Sequence, residues 1–212
     1  MRATTFHSCR LLAAVALGFG LLLSVSVSAD DNEKQAADKT SAAKAVEKLA
    51  KEGYWGQEET WRDHSKLLGK PMPKLEMSDW INSEVKAADM KGKIIVVDYW
   101  ATWCGPCIAS IPHNNEVAKH YADKGVLVIG ACGGGGEEKM PETAKKHGIE
   151  YPTAKVSANS TKAWGVRWWP TYVVIDRKGT VRAIGIKPEY VEKVVDALLK
   201  EQPLETKTAS AN

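Results

Sequence analysis

Two short apolar runs predict the centre of the fold. Ile94 to Tyr99 is apolar and mostly β-branched except at Asp98, and Gly125 to Cys132 contains four consecutive apolar residues. Runs of this kind are typical of strands buried on both faces of a sheet. Cys104 to Asp123, between them, has helical character, so the three segments predict a β-α-β unit with a right-handed crossover. We expect a central sheet with helices on both sides.

The segments after this unit predict two short helices, a hairpin and a closing helix. The helices form a central insert of about 25 to 30 residues. The hairpin follows from two apolar runs joined by a turn that ends in Gly179. In chain order the segments are Glu137 to His147, Asn159 to Trp164, Thr171 to Ile175 with Val181 to Ile184, and Pro188 to Lys200.

Residues 30–68 read as an extension in two parts. Asp30 to Lys51 is rich in Ala, Lys, Glu and Asp, which fits a solvated helix or a disordered tether. Aromatic and leucine spacing from Gly53 to Leu68 predicts a short amphipathic helix lying on the domain, with His64 at the surface. The polar residues 203–212 are expected to be a disordered tail.

Residues 1–29 have the pattern of a secretory signal peptide. Arg2 and Arg10 precede an uncharged apolar stretch from Leu11 to Leu23, and small residues end at Ala29. The apolar stretch is short for a membrane span of about 20 residues. We therefore expect an exported protein of the periplasm or another extracytoplasmic space, soluble after cleavage. An uncleaved anchor is the alternative, and the only membrane attachment expected.

Charge and cysteine content argue against nucleic-acid binding, a disulfide-stapled scaffold and a zinc site. Without residues 1–29, 27 basic residues stand against 26 acidic ones, which does not suggest a nucleic-acid partner. Cys104, Cys107 and Cys132 remain, too few for a disulfide-stapled scaffold. A zinc site would need a second ligand pair, and the chain offers none at CxxC or HxxxH spacing. We expect no metal and no cofactor.

The sequence Trp100-Ala101-Thr102-Trp103-Cys104-Gly105-Pro106-Cys107 predicts a redox dithiol. A strand that delivers a cysteine to the first turn of a helix places its sulfur at the positive end of the helix dipole, which favours the thiolate. The second cysteine lies one helical turn further on, within reach for a disulfide. Pro106 fits the first turn because its missing N–H costs nothing there.

The stretch Val97 to Cys107 resembles the active-site segment of thioredoxins, and the chain is similar to exported relatives of the TlpA and ResA type. The resemblance implies an α/β thioredoxin-like fold in residues 69–202, a central mixed β-sheet flanked by helices. It also implies that residues 69–93 form an N-terminal hairpin, and it matches the central insert.

The resemblance assigns roles to three residues. It implies that Cys104 attacks the substrate disulfide and that Cys107 resolves the mixed disulfide. Asp98 matches the buried acid of thioredoxins, which accepts a proton from the second cysteine; the alternative is a purely structural aspartate. ResA-like proteins commonly carry a glutamate three residues after the second cysteine, where this chain has Ser110.

A second predicted site element is Trp168-Trp169-Pro170-Thr171. Thioredoxin-fold proteins carry a cis proline that faces the disulfide, and Pro170 matches it. The predicted substrate-binding residues are Trp103, Gly105, Pro106, Trp169, Pro170 and Thr171. Trp168 either adds to an apolar docking surface or belongs to the core.

Cys132 and the four glycines after it are ambiguous. The thiol is either a third redox group or an inert buried side chain. Gly133 to Gly136 is expected to be a flexible loop on the active-site side. It is not a phosphate-binding loop, because no Lys-Ser/Thr follows it. Glu137 and Glu138 follow instead and place negative charge where a phosphate would lie.

The sequence thus predicts an exported thiol-disulfide oxidoreductase that reduces protein disulfides, with apocytochrome c among its expected substrates. Its partners would be disulfide-containing proteins and a membrane thiol-reductant donor. The alternatives are a disulfide oxidase or isomerase, and a non-catalytic peptide-binding module of the same fold.

Overall fold

The computed structural model describes residues 29–201. The predicted signal peptide, except for its last residue, and the predicted tail lie outside the described residues. Within the described part, none of the helices combines the length and the apolar character needed to cross a membrane.

The centre of the molecule is a mixed sheet, as predicted, and it has six strands. Its strands are β1 (Met77–Ile81), β2 (Ile94–Trp100), β3 (Val126–Cys132), β4 (Thr153–Val156), β5 (Thr171–Ile175) and β6 (Val181–Ile186). The order is β1-β4-β3-β2-β5-β6. Strand β3 runs parallel to β2 and β4, and all other pairs are antiparallel.

The predicted helices are present, together with others near the N-terminus. The helices are α1 (Ala29–Gly53), α2 (Glu58–Ser65), α3 (Ala87–Met90), α4 (Gly105–Tyr121), α5 (Met140–His147), α6 (Ala158–Ala163) and α7 (Pro188–Glu201). Short 3₁₀ turns follow α4 and precede α5. Helix α4 connects the parallel strands β2 and β3 and so completes the predicted β-α-β unit.

Strand β2 divides the core, because successive side chains of a strand point to opposite faces. Every residue of β2 is buried. Ile94, Val96 and Trp100 join a cluster with buried residues of α1, α4 and α7. The alternate positions of β2 pack in a second cluster with Trp164 and Val166, against which apolar side chains from residues 67–90 lie. The active-site strand is therefore enclosed on both faces.

The predicted hairpin in residues 69–93 is wrong. This segment holds one strand, β1, which pairs antiparallel with β4. Pro71 makes a single bridge to Thr180 at the β5–β6 turn. The sequence interpretation missed β4, whose four residues are too few to show a period, and so left β1 without its true partner. Strand β1 pairs with β4 because β4 leaves an open edge of the sheet.

The N-terminal extension belongs to the same core. Val46 and Ala50 on α1 are buried in the cluster that includes α7. Tyr54 then bridges to Ile186 on the edge strand β6. The surface prediction for His64 is wrong: its side chain has no solvent exposure, and its Nε2 lies 2.9 Å from the carbonyl oxygen of Gly165. The boundary at residue 68 stays a prediction.

Candidate active site

The structure joins Cys104 and Cys107 in a disulfide at the start of α4, with the Cα atoms 5.3 Å apart. Cys104 is the N-cap residue, and its sulfur accepts a hydrogen bond from the backbone N–H of Cys107 at 3.2 Å. Both cysteines are buried, at 3% and 1% exposure, while Gly105 and Pro106 between them are exposed. The sulfur predicted to attack therefore lies at the N-terminus of α4 and accepts a hydrogen bond from one of its backbone N–H groups, which favours its thiolate.

The second predicted element reaches the same end of the sheet. Thr171 pairs with Tyr99 of β2 in the antiparallel register, close to the point where the chain turns into the disulfide. The Trp169–Pro170 bond is cis, as predicted. The indole of Trp169 contacts that of Trp103 edge-on, with 5.8 Å between ring centroids. An aromatic pair thus links the CxxC segment to the cis-proline loop.

The glycine run supports this aromatic pair. Trp103 is 61% exposed, and its indole N–H donates to the carbonyl oxygens of Gly135 at 3.1 Å and Gly134 at 3.3 Å. A Cβ on Gly134 would lie 2.6 Å from the ring of Trp169, and the φ of +86° also favours glycine. The predicted loop therefore lies on the active-site side, where Gly134 packs on Trp169 and the carbonyls of Gly134 and Gly135 hold Trp103. Its hydrogen bonds could not be read from the sequence.

Trp168 does not join this pair. Its ring lies 5.4 Å from His64 and 6.1 Å from Tyr54, measured between centroids. It therefore packs against the N-terminal extension, in agreement with the core alternative. The Thr171 hydroxyl donates to the Trp168 carbonyl oxygen at 2.6 Å, across the bend at residues 168–170.

Asp98 lies on β2 under α4 and is 1% exposed. Its Oδ2 accepts hydrogen bonds from the Asn114 side-chain amide at 2.8 Å and from the Tyr151 hydroxyl at 3.2 Å. Burial raises the pKa of the Asp98 carboxyl to about 7, although these two hydrogen bonds lower it in part. A carboxyl group that titrates near neutral pH can accept or return a thiol proton.

Sequence reasoning missed Asn114, Tyr151 and Tyr172. The Tyr172 hydroxyl lies 3.0 Å from Nδ2 and 3.2 Å from Oδ1 of Asn114, so the four side chains form one buried cluster. A signal for Asn114 was present, because an amide seven residues after Cys107 lies on the same helix face. No local pattern marks Tyr151, which lies in the loop before β4.

Comparison with known proteins places the chain in a family. The sequence profile of the Redoxin family matches residues 67–199. The chain belongs to the Redoxin family. It is 28% identical over 151 residues to the thiol-disulfide oxidoreductase ResA of Bacillus cereus (strain ATCC 10987 / NRS 248), covering 71% of this chain and 84% of that protein. ResA of Bacillus subtilis (strain 168) is 25% identical over 114 residues, covering 53% and 64% respectively.

Solved structures show the same fold. A thiol:disulfide interchange protein of the thioredoxin family from Chlorobium tepidum TLS superposes with a TM-score of 0.54 at 26% identity, covering 61% of this chain and 97% of that one. A DsbF homologue from Corynebacterium diphtheriae gives 0.52 at 25% identity, covering 61% and 87%. The chain is thus a TlpA/ResA-like protein of thioredoxin fold and of the thiol-disulfide oxidoreductase class.

Within this redoxin, Cys132 belongs to the same buried cluster as Cys104 and Cys107 but is a free thiol. Its side chain is completely buried at the end of β3 and forms no disulfide. Burial, with smaller contributions from the charges of Glu137 and Asp98, raises the pKa of the thiol to about 12. The thiol therefore stays protonated and unreactive at neutral pH, which favours the inert alternative. No cluster of His, Cys, Asp and Glu among residues 29–201 could hold a metal ion.

An open cleft of about 790 Å³ lies beside Trp169. The N-terminal extension forms one wall of this cleft, and the glycine run and the segment around α6 form the others. Its lining includes Leu67, Gly134, Val156 and Val166, with charged groups such as Lys162. The aromatic pair therefore continues into a concave surface of mixed polarity.

Proposed function

We propose that this oxidoreductase reduces disulfide bonds in protein substrates through Cys104 and Cys107. The observation that carries the proposal is the disulfide at the first turn of α4, on a helix whose Asn114 is hydrogen-bonded to a buried carboxyl group that titrates near neutral pH. The CGPC sequence matches that of thioredoxin, a reductant with a potential of about −270 mV. ResA relatives of the same class add support.

The reaction takes two exchanges. The Cys104 thiolate attacks one sulfur of a substrate disulfide, forming a mixed disulfide and releasing the other substrate sulfur as a thiolate. Cys107 then gives its proton to Asp98, and its sulfur attacks Cys104 to release the second substrate sulfur. The substrate gains two electrons as a dithiol, and the chain returns to the disulfide state seen in the structure. The Asp98 proton then neutralises one released substrate thiolate by way of solvent, and a proton from solvent neutralises the other.

The proposed substrate contacts surround the disulfide. Trp103 and Trp169 would hold apolar side chains of a flexible polypeptide, since Trp103 is the most exposed large apolar side chain among the described residues. Gly105 and Pro106 are exposed beside the sulfurs, whereas Pro170 and Thr171 are buried. We expect these last two to act through their backbone in the cis-proline loop.

Turnover needs a thiol donor that reduces the Cys104–Cys107 disulfide again. We propose that a membrane thiol-reductant protein supplies the electrons and that the chain works outside the cytoplasm, as residues 1–29 suggest. Apocytochrome c is the substrate that the ResA resemblance implies. The support for these three points is the sequence resemblance and the leader pattern.

The direct test is insulin reduction with dithiothreitol as the donor. Cys104→Ser should abolish the activity, and Cys107→Ala should accumulate a mixed disulfide with substrate. Cys132→Ala is the matched control and should keep full activity. If Cys107→Ala traps no substrate, the chain is a non-catalytic binding module. A reduction potential near the −120 mV of DsbA, instead of about −270 mV, would make it an oxidase or isomerase.

A further inference from the structure

In the described part of the chain, the buried acid Asp98 is held by uncharged groups. Asp98 Oδ2 receives the Asn114 amide and the Tyr151 hydroxyl, while Oδ1 is buried with no hydrogen-bond partner among the described residues. The titratable groups that feel its charge are Tyr151, Tyr172 and Cys132. Each of these is neutral at neutral pH, since burial raises its pKa. Among residues 29–201, no cation contributes to the pKa of this carboxyl group.

Neutral partners can serve both protonation states of the acid, which a lysine could not. An amide presents an N–H donor to a carboxylate, or, after rotation by 180° about its last torsion, a carbonyl acceptor to the protonated acid. A phenol can likewise donate or accept by rotating its O–H bond. Tyr172 lies within hydrogen-bond distance of both Asn114 amide atoms, so it can bond whichever atom faces it. Each state of Asp98 therefore keeps its partners.

We propose that Asn114 and Tyr151 are positioning residues that hold the Asp98 carboxyl group in both protonation states and set its affinity for the proton. The inference deepens the proposed function, because it rests on Asp98 as the proton acceptor for Cys107. Asn114 lies on the α4 face that carries Cys107, buried as Cys107 and Ile111 are. The helix that bears the dithiol thus also carries one of the groups that tune its acid.

The test follows the titration of Asp98 in the oxidised, full-length protein. The carboxyl stretch in infrared spectra reports the protonated acid directly, and the Asp98→Asn variant assigns the band. Tyr151→Phe removes one oxygen and keeps the ring, and Asn114→Leu replaces the amide at similar size. Tyr172→Phe is the matched control, because it removes a buried hydroxyl that contacts Asn114 but not Asp98. Near-UV circular dichroism checks that each variant folds.

Loss of a donor disfavours the carboxylate, so Tyr151→Phe and Asn114→Leu should move the midpoint to higher pH. A hydrogen bond to a charged group predicts a shift of about one pH unit, roughly tenfold in proton affinity, and the control should move it less than about threefold. The inference is overturned if folded Tyr151→Phe protein keeps the midpoint of the parent, or if Tyr172→Phe moves it equally.

The pH profile of insulin reduction separates this inference from the proposed function. If Asp98 accepts the Cys107 proton, Asp98→Asn removes the limb of the profile that titrates near pH 7. An unchanged profile in Asp98→Asn would overturn the proposed role of Asp98. A shifted infrared midpoint in Tyr151→Phe would still support the hydrogen-bond inference in that case.

Discussion

Replacing Asp98 with asparagine should change how stability depends on pH. The folded protein holds this carboxyl at a pKa of about 7, against an ordinary value of 3.8, because burial disfavours the charge. Between these values the folded state keeps a proton that the unfolded state releases. Stability therefore falls as pH rises through this window, and the loss is complete above about pH 7.

The size of the effect follows from the same difference. About three pH units at 1.36 kcal/mol each give about 4 kcal/mol of stability lost between pH 4 and pH 8. The side chain in Asp98→Asn cannot ionise, so the variant escapes this loss. It should therefore gain about 4 kcal/mol on the parent protein across that range. The other titratable groups, His64 among them, are the same in both proteins and cancel from the comparison.

The assay is urea unfolding of the oxidised protein at half-unit steps from pH 4 to pH 8, in parent and variant. The oxidised form is used so that Cys104 and Cys107 do not titrate. The informative quantity is the difference between the two unfolding free energies, plotted against pH. A constant effect of the new amide shifts this plot but does not change its slope. If the two pH curves run parallel, Asp98 keeps an ordinary pKa in the folded state and the reasoning about its role is refuted.

Three further predictions concern the surroundings of the site. Gly134→Ala should destabilise the protein by about 1 to 3 kcal/mol, because its Cβ would meet the Trp169 ring. A Cβ on Gly135 would meet no atom within 4 Å, so Gly135→Ala should show only the smaller strain of its positive φ. Thermal unfolding compares the two variants. His64→Leu should lower the stability of the protein at pH 8 by about 1 to 3 kcal/mol, because it removes the hydrogen bond to Gly165. It should also flatten the decline of stability below about pH 6.5, because burial lowers the pKa of His64 and the parent loses stability as the ring is protonated. A variant as acid-sensitive as the parent in urea unfolding would contradict this. Cys132→Ala should leave insulin turnover unchanged, and a loss of turnover in a folded variant would restore its redox role.

Sequence patterns correctly predicted those secondary-structure elements that depend on residues close together in the chain. The apolar run of β2 and the helix start at Gly105 and Pro106 follow from residue types within a few positions, and the structure has both. The hairpin in residues 69–93 failed because strand pairing depends on which edge is free. His64 failed for a related reason, since its burial depends on Gly165 and Gly185, whose missing side chains leave room for the ring.

The residues that carry the chemistry can be found from their types and spacing: a dithiol at a helix start, a carboxyl within a buried strand, and a proline before β5. Each depends on neighbours within a few positions of the chain. Which groups surround them depends on the tertiary structure. It placed Asn114 and Tyr151 on Asp98, and the glycine run under Trp103, across separations of 16 to 53 residues. Such contacts arise from the packing of whole elements, and no local pattern encodes them.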